Sequence, residues 1–342
     1  MNKDFNKDIR SRLKGKTLDS VAPSVYVSTG CYALNKLISD EYDKGIPLGS
    51  LIQLQGNSST GKSLFATTFI TAAQKAGWFC KLLDAENTFS RAFGEVLGID
   101  SKNLFYSNPR SLEEAFADVQ ETIQEVRKVD KDIPMLLVLD SIAVLPTEEE
   151  LNRDSIADIT NTDGARRAVV TGGLLRKINH FLKDNNATLI VINQIRNTLN
   201  SYGNPETTAG GGRALEFYLS VDIKLVSNKT GDILRDGNKP IGIVGKVHIK
   251  KNKIGIPAGK CDFKVLFNKG LDPYYGLEEL LAEDNLIEIS NVGRRSVGDI
   301  PFKKNTISEL LFDKSKSNPE LDKIRKKFGI SLDEGTSASG GA

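Results

Sequence analysis

Gly56-Asn57-Ser58-Ser59-Thr60-Gly61-Lys62-Ser63 fits the pattern GxxxxGK[ST]. Before it stands a β-type run, Leu51-Ile52-Gln53-Leu54-Gln55, and after it a segment from Lys62 to Ala76 whose Leu64, Phe65, Phe69, Ile70 and Ala73 share one helical face. A strand, a glycine-bearing loop and a helix in that order leave few folds open. Gly56 and Gly61 permit the turn, and backbone N–H groups at the helix N-terminus form a cradle for a β-phosphate. Lys62 is placed to reach β- and γ-phosphates, and Ser63 to offer a hydroxyl to Mg²⁺. All eight residues are therefore candidate contacts for a nucleotide such as ATP.

The rest of the chain supports a sheet around that loop. Phe79 to Asp84, Met135 to Asp140 and Thr188 to Asn193 read as strands, the second a continuous apolar run of the buried parallel type. Helical patterns separate them: one opens at Ser111-Leu112-Glu113-Glu114 with capping-box chemistry and runs to about Val129, another runs from about Asp163 to Lys183. Repeated strand–helix–strand units imply an α/β fold, mainly a parallel twisted sheet with helices on both faces. After Phe217 the pattern changes. Val221 to Val226, Ile241 to Lys251 and Cys261 to Phe267 read as strands joined by turns such as Asp236-Gly237-Asn238, an antiparallel extension. Leu277 to Glu283, Thr306 to Phe312 and Asn318 to Phe328 read as short helices, and Glu334 to Ala342 has the composition of a disordered tail.

Composition narrows the classes. No run approaches the roughly 18 apolar residues of a membrane helix, and the first residues carry no signal-peptide core, so a cytoplasmic location is expected. Cys31, Cys80 and Cys261 lie far apart, with no Cys or His at zinc-ligand spacing, and read as buried hydrophobes. His180 and His248 are equally isolated. A net charge of +2 from 46 basic and 44 acidic residues means that any polyanion must be held by local cations.

Leu136-Leu137-Val138-Leu139-Asp140 is an apolar strand ending in a carboxylate, about 80 residues after the loop. That is the form of a second nucleotide motif, with Asp140 and Ser63 as the candidate Mg²⁺ holders. Hydrolysis also needs a group to orient water. Asp84-Ala85-Glu86 ends the strand that follows the loop's helix, and ligands of open α/β sheets bind at such ends. Glu86 is the candidate base and Asp84 the second choice.

With these residues in place, the chain resembles the bacterial RecA recombinase family from about residue 25 to 328. Val27-Ser28-Thr29-Gly30 followed by Leu34 is similar to that family's entry into its core, and Asp84-Ala85-Glu86 to the segment carrying its catalytic glutamate. Ile192-Asn193-Gln194-Ile195-Arg196, then Gly203-Asn204-Pro205-Glu206-Thr207-Thr208, resemble its γ-phosphate sensor and second DNA-binding loop. Lys251-Asn252-Lys253-Ile254 resembles paired lysines that reach the ATP of a neighbouring subunit. The resemblance makes Glu86, Lys62, Gln194, Lys251 and Lys253 catalytic candidates. It also puts Phe93 where the family stacks an aromatic ring on adenine.

The residue chemistry suits these roles. A neutral amide at Gln194 can hold a γ-phosphate and release it after hydrolysis. The glycine-rich segment from Arg196 to Gly212 is expected to lack regular structure without a ligand. Arg196 and Arg213 flank it, and they and the N–H groups of Gly210, Gly211 and Gly212 can contact phosphates. Arg166 and Arg167 lie at a helix start, where cations are disfavoured unless an anion is near, and Arg176 lies on the same helix. A solvated helix face is the alternative for these three. Strand alternation puts Lys251 and Lys253 on one side, where they repel unless something negative lies between; an exposed edge strand guarded by lysines is the alternative.

There are departures from the family. Asn57 and Ser58 replace a proline and an acidic residue, Phe93 lacks a hydroxyl, the second loop is one residue longer, and residues 163–173 match poorly. The N-terminal segment is short, although Phe5, Ile9 and Leu13 keep helical spacing, and the acidic tail is missing. Such a divergent member is of the sort phages encode. The resemblance implies a RecA-like P-loop ATPase core with small N-terminal and C-terminal α/β pieces. Its divisions are residues 1–33 for subunit docking, 34–269 for the core, 270–330 for a small domain and 331–342 for the tail. The implied function is an ATP- and Mg²⁺-dependent recombinase that forms a helical filament of itself on single-stranded DNA and pairs it with double-stranded DNA. A hexameric helicase or repair ATPase on the same core, or a DNA-binding filament scaffold without strand exchange, are the alternatives.

Overall fold

The computed structural model describes residues 25–153, 163–199, 205–209, 212–227 and 232–330. In chain order its elements are β1 (Tyr26–Val27), α1 (Tyr32–Ser39), β2 (Ile46–Pro47), β3 (Leu51–Gly56), α2 (Lys62–Lys75), β4 (Phe79–Asp84), α3 (Arg91–Val96), β5 (Leu104–Ser107), α4 (Leu112–Val129), β6 (Met135–Asp140) and α5 (Glu148–Leu151). There follow α6 (Asp163–Asp184), β7 (Ala187–Leu199), β8 (Pro205–Ala209), α7 (Gly212–Tyr218), β9 (Val221–Val226), β10 (Ile233–Asp236), β11 (Lys239–Asn252), β12 (Gly259–Leu266) and β13 (Gly270–Leu271). The last are α8 (Glu278–Glu283), β14 (Glu288–Ile289), β15 (Arg295–Val297), β16 (Ile300–Phe302), α9 (Ile307–Phe312) and α10 (Pro319–Lys327).

The main sheet runs β13-β12-β11-β9-β3-β7-β6-β4-β5. β3 pairs in parallel with both β7 and β9, and β6, β4 and β5 continue in parallel on the β7 side. Beyond β9 the pairing turns antiparallel through β11, β12 and β13. The parallel core and the antiparallel extension expected from the sequence both form. β10 is an addition: it folds back on β11 through the Asp236-Gly237-Asn238 turn, where Gly237 has φ +57°.

Alternation sorts the apolar strand residues onto two faces. Ile52, Leu54, Leu136, Val138, Ile190 and Ile192 pack with Phe65, Phe69 and Ile70 of α2. Leu51, Leu137, Leu139, Leu189 and Val191 pack with Phe116, Val119 and Ile123 of α4 and Leu175, Ile178 and Leu182 of α6. Full burial of each such side chain contributes about 1.5–3 kcal/mol, which is why β6 reads as a continuous apolar run.

α4 begins as predicted, with Ser111 Oγ accepting from the Glu114 N–H at 2.9 Å. The capping box is only half formed, because the Glu114 carboxylate accepts from the Arg110 N–H at 2.7 Å instead of from Ser111. At the other end the Arg127 guanidinium donates to the carbonyls of Asp130, Ile133, Asn185 and Asn186, tying α4 to the entry of β7.

One expectation is corrected. The segment from Arg196 to Gly212 contains regular structure: β7 continues to Leu199 and pairs antiparallel with β8, from Ile195↔Ala209 to Leu199↔Pro205. Its β-branched Thr198, Thr207 and Thr208 favour extended backbone, and Pro205 opens a strand, where its missing N–H costs least. β9 and β12 flank β11 over most of its length, but the β12 pairing stops at Ile249, so Lys251 pairs with β9 alone. Between α8 and α9 lies a three-stranded sheet, β14-β15-β16, too short in each strand to carry a periodic signal. Beyond α10, the Phe328 ring packs against Tyr32 and Tyr42 at 4.6 and 5.2 Å between centroids, fixing these last residues to α1. The N-terminal helix with Phe5, Ile9 and Leu13, the loop over residues 155–162 that the resemblance makes a first DNA-binding loop, Gly210, Gly211 and the tail over 331–342 lie outside the described residues.

Candidate active site

The C-terminal ends of β3, β7, β6 and β4 lie side by side, with Gly56 in register with Gln194 and Asp84 with Asp140. This level of the sheet is where a ligand of an α/β fold binds. The loop that leaves β3 is held by backbone geometry: Ser59 and Gly61 have φ of +64° and +91°. A Cβ on Gly56 would stand 2.6 Å from Thr60 Oγ1 and 2.8 Å from the Leu225 carbonyl, so only glycine fits there. Thr60 Oγ1 closes the loop by donating to the Asn57 carbonyl at 2.9 Å.

Lys62 is buried, and its ammonium donates to the carbonyls of Gly56 and Asn57 at 3.1 and 2.7 Å. Burial holds its pKa below the usual lysine value, offset in part by Asp140 and Glu86. Ser63 Oγ donates to Asp140 Oδ2 at 2.7 Å. Burial pushes the Asp140 carboxyl up to about 6; the Ser63 bond lowers it, and the neighbouring Glu86 and Asp84 charges raise it. A divalent cation would relieve that repulsion, and a hydroxyl and a carboxylate this close suit Mg²⁺. Among the described residues no group of three or more His, Cys, Asp or Glu side chains is placed to hold a metal, so phosphate oxygens would have to complete the shell.

Glu86 stands across from this pair. Its Oε1 accepts from Ser141 Oγ at 2.7 Å and from Gln194 Nε2 at 3.0 Å. The peptide between Asp140 and Ser141 is cis. Lys62, Ser63, Glu86, Asp140 and Gln194 line one cavity of about 700 Å³ together with Ser58, Ser59 and Gly61. Asp84, the second choice as base, is engaged elsewhere: it is buried and its Oδ2 accepts from the Phe89 N–H at 2.8 Å and from the Tyr106 hydroxyl at 3.2 Å. Phe93 lies in a smaller adjoining cavity of about 220 Å³ that also touches Ser63, Leu64 and Asp140, with its ring 38% exposed and open to stacking.

The remaining candidates lie apart from this cavity. Lys251 donates to the carbonyls of Glu216 and Phe217, and Lys253 to Phe217 at 3.3 Å. Both therefore sit on one side, at the negative end of α7. Burial together with Lys251 and Lys183 holds Lys253 below its usual pKa. Arg166 pairs with Glu149 of α5, Arg167 donates to the carbonyls of Ile142 and Ala143, and Arg176 Nε donates to the Tyr218 hydroxyl at 3.2 Å. Arg196 falls on the β7 backbone, and Gly212 and Arg213 open α7; the side chains of the two arginines are outside the described part.

Sequence reasoning missed Ser141, whose place directly after Asp140 was a usable signal. It also missed the far wall of the cavity, Asp232, Ile233, Pro240, Ile243 and Phe267, which the β10–β11 hairpin and the end of β12 bring over the loop. No local pattern marks those residues.

A family described as the RecA N-terminal domain matches residues 1–272. The chain is 34% identical over 273 residues to Protein RecA of Sulfurovum sp. strain NBC37-1, covering 79% of this chain and 73% of that protein. It is 33% identical to Protein RecA of Bacteroides thetaiotaomicron, covering 80% and 78%. Against Protein RecA of Sulfurimonas denitrificans it is 30% identical over 338 residues, 96% of this chain and 91% of that protein.

Proposed function

The chain belongs to the RecA family, a family of recombinases, and on that premise we propose that it polymerises on single-stranded DNA and exchanges strands, with DNA-stimulated hydrolysis of ATP to ADP and phosphate at subunit interfaces. The observation that carries the reading is Glu86, held by Ser141 and Gln194 in the same cavity as the phosphate loop and the Ser63–Asp140 pair.

The loop N–H groups and the Lys62 ammonium bind the phosphates, Lys62 exchanging its two carbonyl acceptors for phosphate oxygens. Ser63 and Asp140 would hold Mg²⁺, which would supply positive charge against the phosphates. Glu86 orients and deprotonates the attacking water. The Gln194 amide has two N–H donors, one on Glu86 and one free to take a γ-phosphate. Gain and loss of that phosphate bond shifts the start of the β7–β8 ribbon, an order-changing switch of the kind nucleotide enzymes use. Phe93 offers a face to the base. Lys251 and Lys253 complete the site of the next subunit.

DNA lies against the helix carrying Arg166 and Arg176 and against the ribbon flanked by Arg196, Gly210, Gly211, Gly212 and Arg213. Many subunits acting together let a chain of net charge +2 hold a polyanion. Residues 1–33 dock on the neighbouring subunit, 34–269 form the core, 270–330 a small domain and 331–342 a tail. Among the described residues no helix is long and apolar enough to cross a membrane.

The test is strand exchange between circular single-stranded DNA and a homologous linear duplex, with ATP and Mg²⁺. Joint molecules that require homology support the reading. Filaments and hydrolysis without joint molecules would make the protein a scaffold, and unwinding of a duplex would make it a helicase.

A further inference from the structure

Arg167 lies in the early part of α6, the helix that follows the first loop, yet its guanidinium turns back to the sheet. Nη2 donates to the Ile142 carbonyl at 2.9 Å and to the Ala143 carbonyl at 3.0 Å. Those two carbonyls belong to the turn that leaves Asp140. The Ile142 N–H of that turn donates to the Ile192 carbonyl of β7 at 3.0 Å. Ser141, the residue before it, donates its hydroxyl to Glu86, which also receives Gln194. Two sets of hydrogen bonds, joined by the backbone from Ser141 to Ala143, thus connect α6 to Glu86. Arg166 differs: it is exposed and pairs with the exposed Glu149, a contact a phosphate displaces easily.

We propose that Arg167 is a positioning residue of the hydrolytic site and not a DNA contact: it holds the Ile142–Ala143 turn and, through Ser141, sets where the Glu86 carboxylate points. A cationic guanidinium on two carbonyls is a strong, directional clamp. A shift of the start of α6 moves this clamp and therefore Glu86. The inference rests on the reading of Glu86 as the water-orienting base. A route through space is not itself coupling, so the test must read both ends separately.

The experiment compares Arg167→Ala, Arg167→Lys and Arg166→Ala in the full chain. Affinity for single-stranded DNA is measured at several salt concentrations with a non-hydrolysed ATP analogue, and ATP hydrolysis at saturating DNA. For Arg167→Ala the expected result is DNA affinity within about twofold of the parent and an unchanged salt slope, with kcat down roughly tenfold or more and KM for ATP little changed. Arg167→Lys, which can still donate to a carbonyl, recovers part of kcat. For Arg166→Ala the salt slope falls by about 0.7, the loss of one phosphate contact on a single strand.

If Arg167→Ala lowers the slope by that amount and keeps kcat, Arg167 is a DNA contact and the proposal is overturned. If the alanine variant does not fold, the same two readouts on Arg167→Lys decide: reduced kcat with parental slope supports the proposal, and reduced slope with parental kcat overturns it. Glu86→Gln run alongside separates the two levels. Undiminished hydrolysis in that variant refutes the base itself, whatever Arg167 does.

Discussion

Gln194 Nε2 lies 3.0 Å from Glu86 Oε1, although 108 residues separate them in sequence. The amide that can sense a γ-phosphate is thus bonded to the carboxylate that can activate water. The amide carries two N–H donors and one is on Glu86, so the other can reach a phosphate and a single side chain can link phosphate binding to the position of Glu86.

Glu86→Gln removes the base but keeps a side chain that still bonds Ser141 and Gln194. Turnover should fall about 10²–10⁴-fold while ATP affinity stays near that of the parent. Single-turnover hydrolysis with a fluorescent-nucleotide binding titration measures both. Ser141→Ala should give a smaller loss of the same kind, since the carboxylate keeps one of its two donors.

Gly56→Ala forces a methyl against the Thr60 hydroxyl and the Leu225 carbonyl. The loop must shift, costing about 1–3 kcal/mol of stability and misaligning its N–H groups. A lowered thermal midpoint together with at least roughly tenfold weaker ATP binding is expected. Wild-type affinity would mean that the loop does not use this geometry.

Lys251→Ala and Lys253→Ala remove cations from the C-terminal end of α7, which should cost only about 0.3–1 kcal/mol each in a melt. Their effect on DNA-stimulated hydrolysis should be far larger, roughly a hundredfold, if they complete a neighbour's site. Mixing the double-lysine variant with Glu86→Gln subunits should restore part of the activity, because each supplies what the other lacks at mixed interfaces. No recovery would place the lysines in their own subunit's site.

Asp222 is buried beneath the phosphate loop, accepting from Gln53 Nε2 at 3.0 Å and from Gln55 Nε2 at 2.7 Å. Burial raises its pKa, the two amides lower it, and the charges of Glu216 and Lys250 raise and lower it in turn. A carboxyl raised in the native state binds more protons folded than unfolded. Its contribution to stability is full below the ordinary carboxylate range and is lost as pH rises through the raised value. Urea midpoints of Asp222→Asn measured from about pH 4 to pH 7 should show a flatter fall than those of the parent. An unchanged profile would mean that other groups set it.

Much of this was legible in sequence because it is local. The loop from Gly56 to Ser63 and the apolar strand into Asp140 need only their neighbours to be recognised. Glu86 was ranked ahead of Asp84 from the strand end and the resemblance, and the Tyr106 hydroxyl and Phe89 N–H that occupy the Asp84 carboxylate were not legible in sequence. Phe267 and Ile243 reach the cavity only because a hairpin from the antiparallel extension folds over the loop, a long-range event with no periodic trace. The β7–β8 ribbon escaped notice because its glycines outweighed its threonines. Arg167 looked like a surface cation because a carbonyl acceptor leaves no mark in a sequence.

The most direct test of a DNA-coupled ATPase is hydrolysis with and without single-stranded DNA at low and moderate salt. Stimulation by DNA that falls steeply as salt rises is predicted, since on the proposed reading each subunit would hold the strand through a few phosphate contacts. Hydrolysis indifferent to DNA at both salts would contradict the account and leave a P-loop nucleotide hydrolase with another partner.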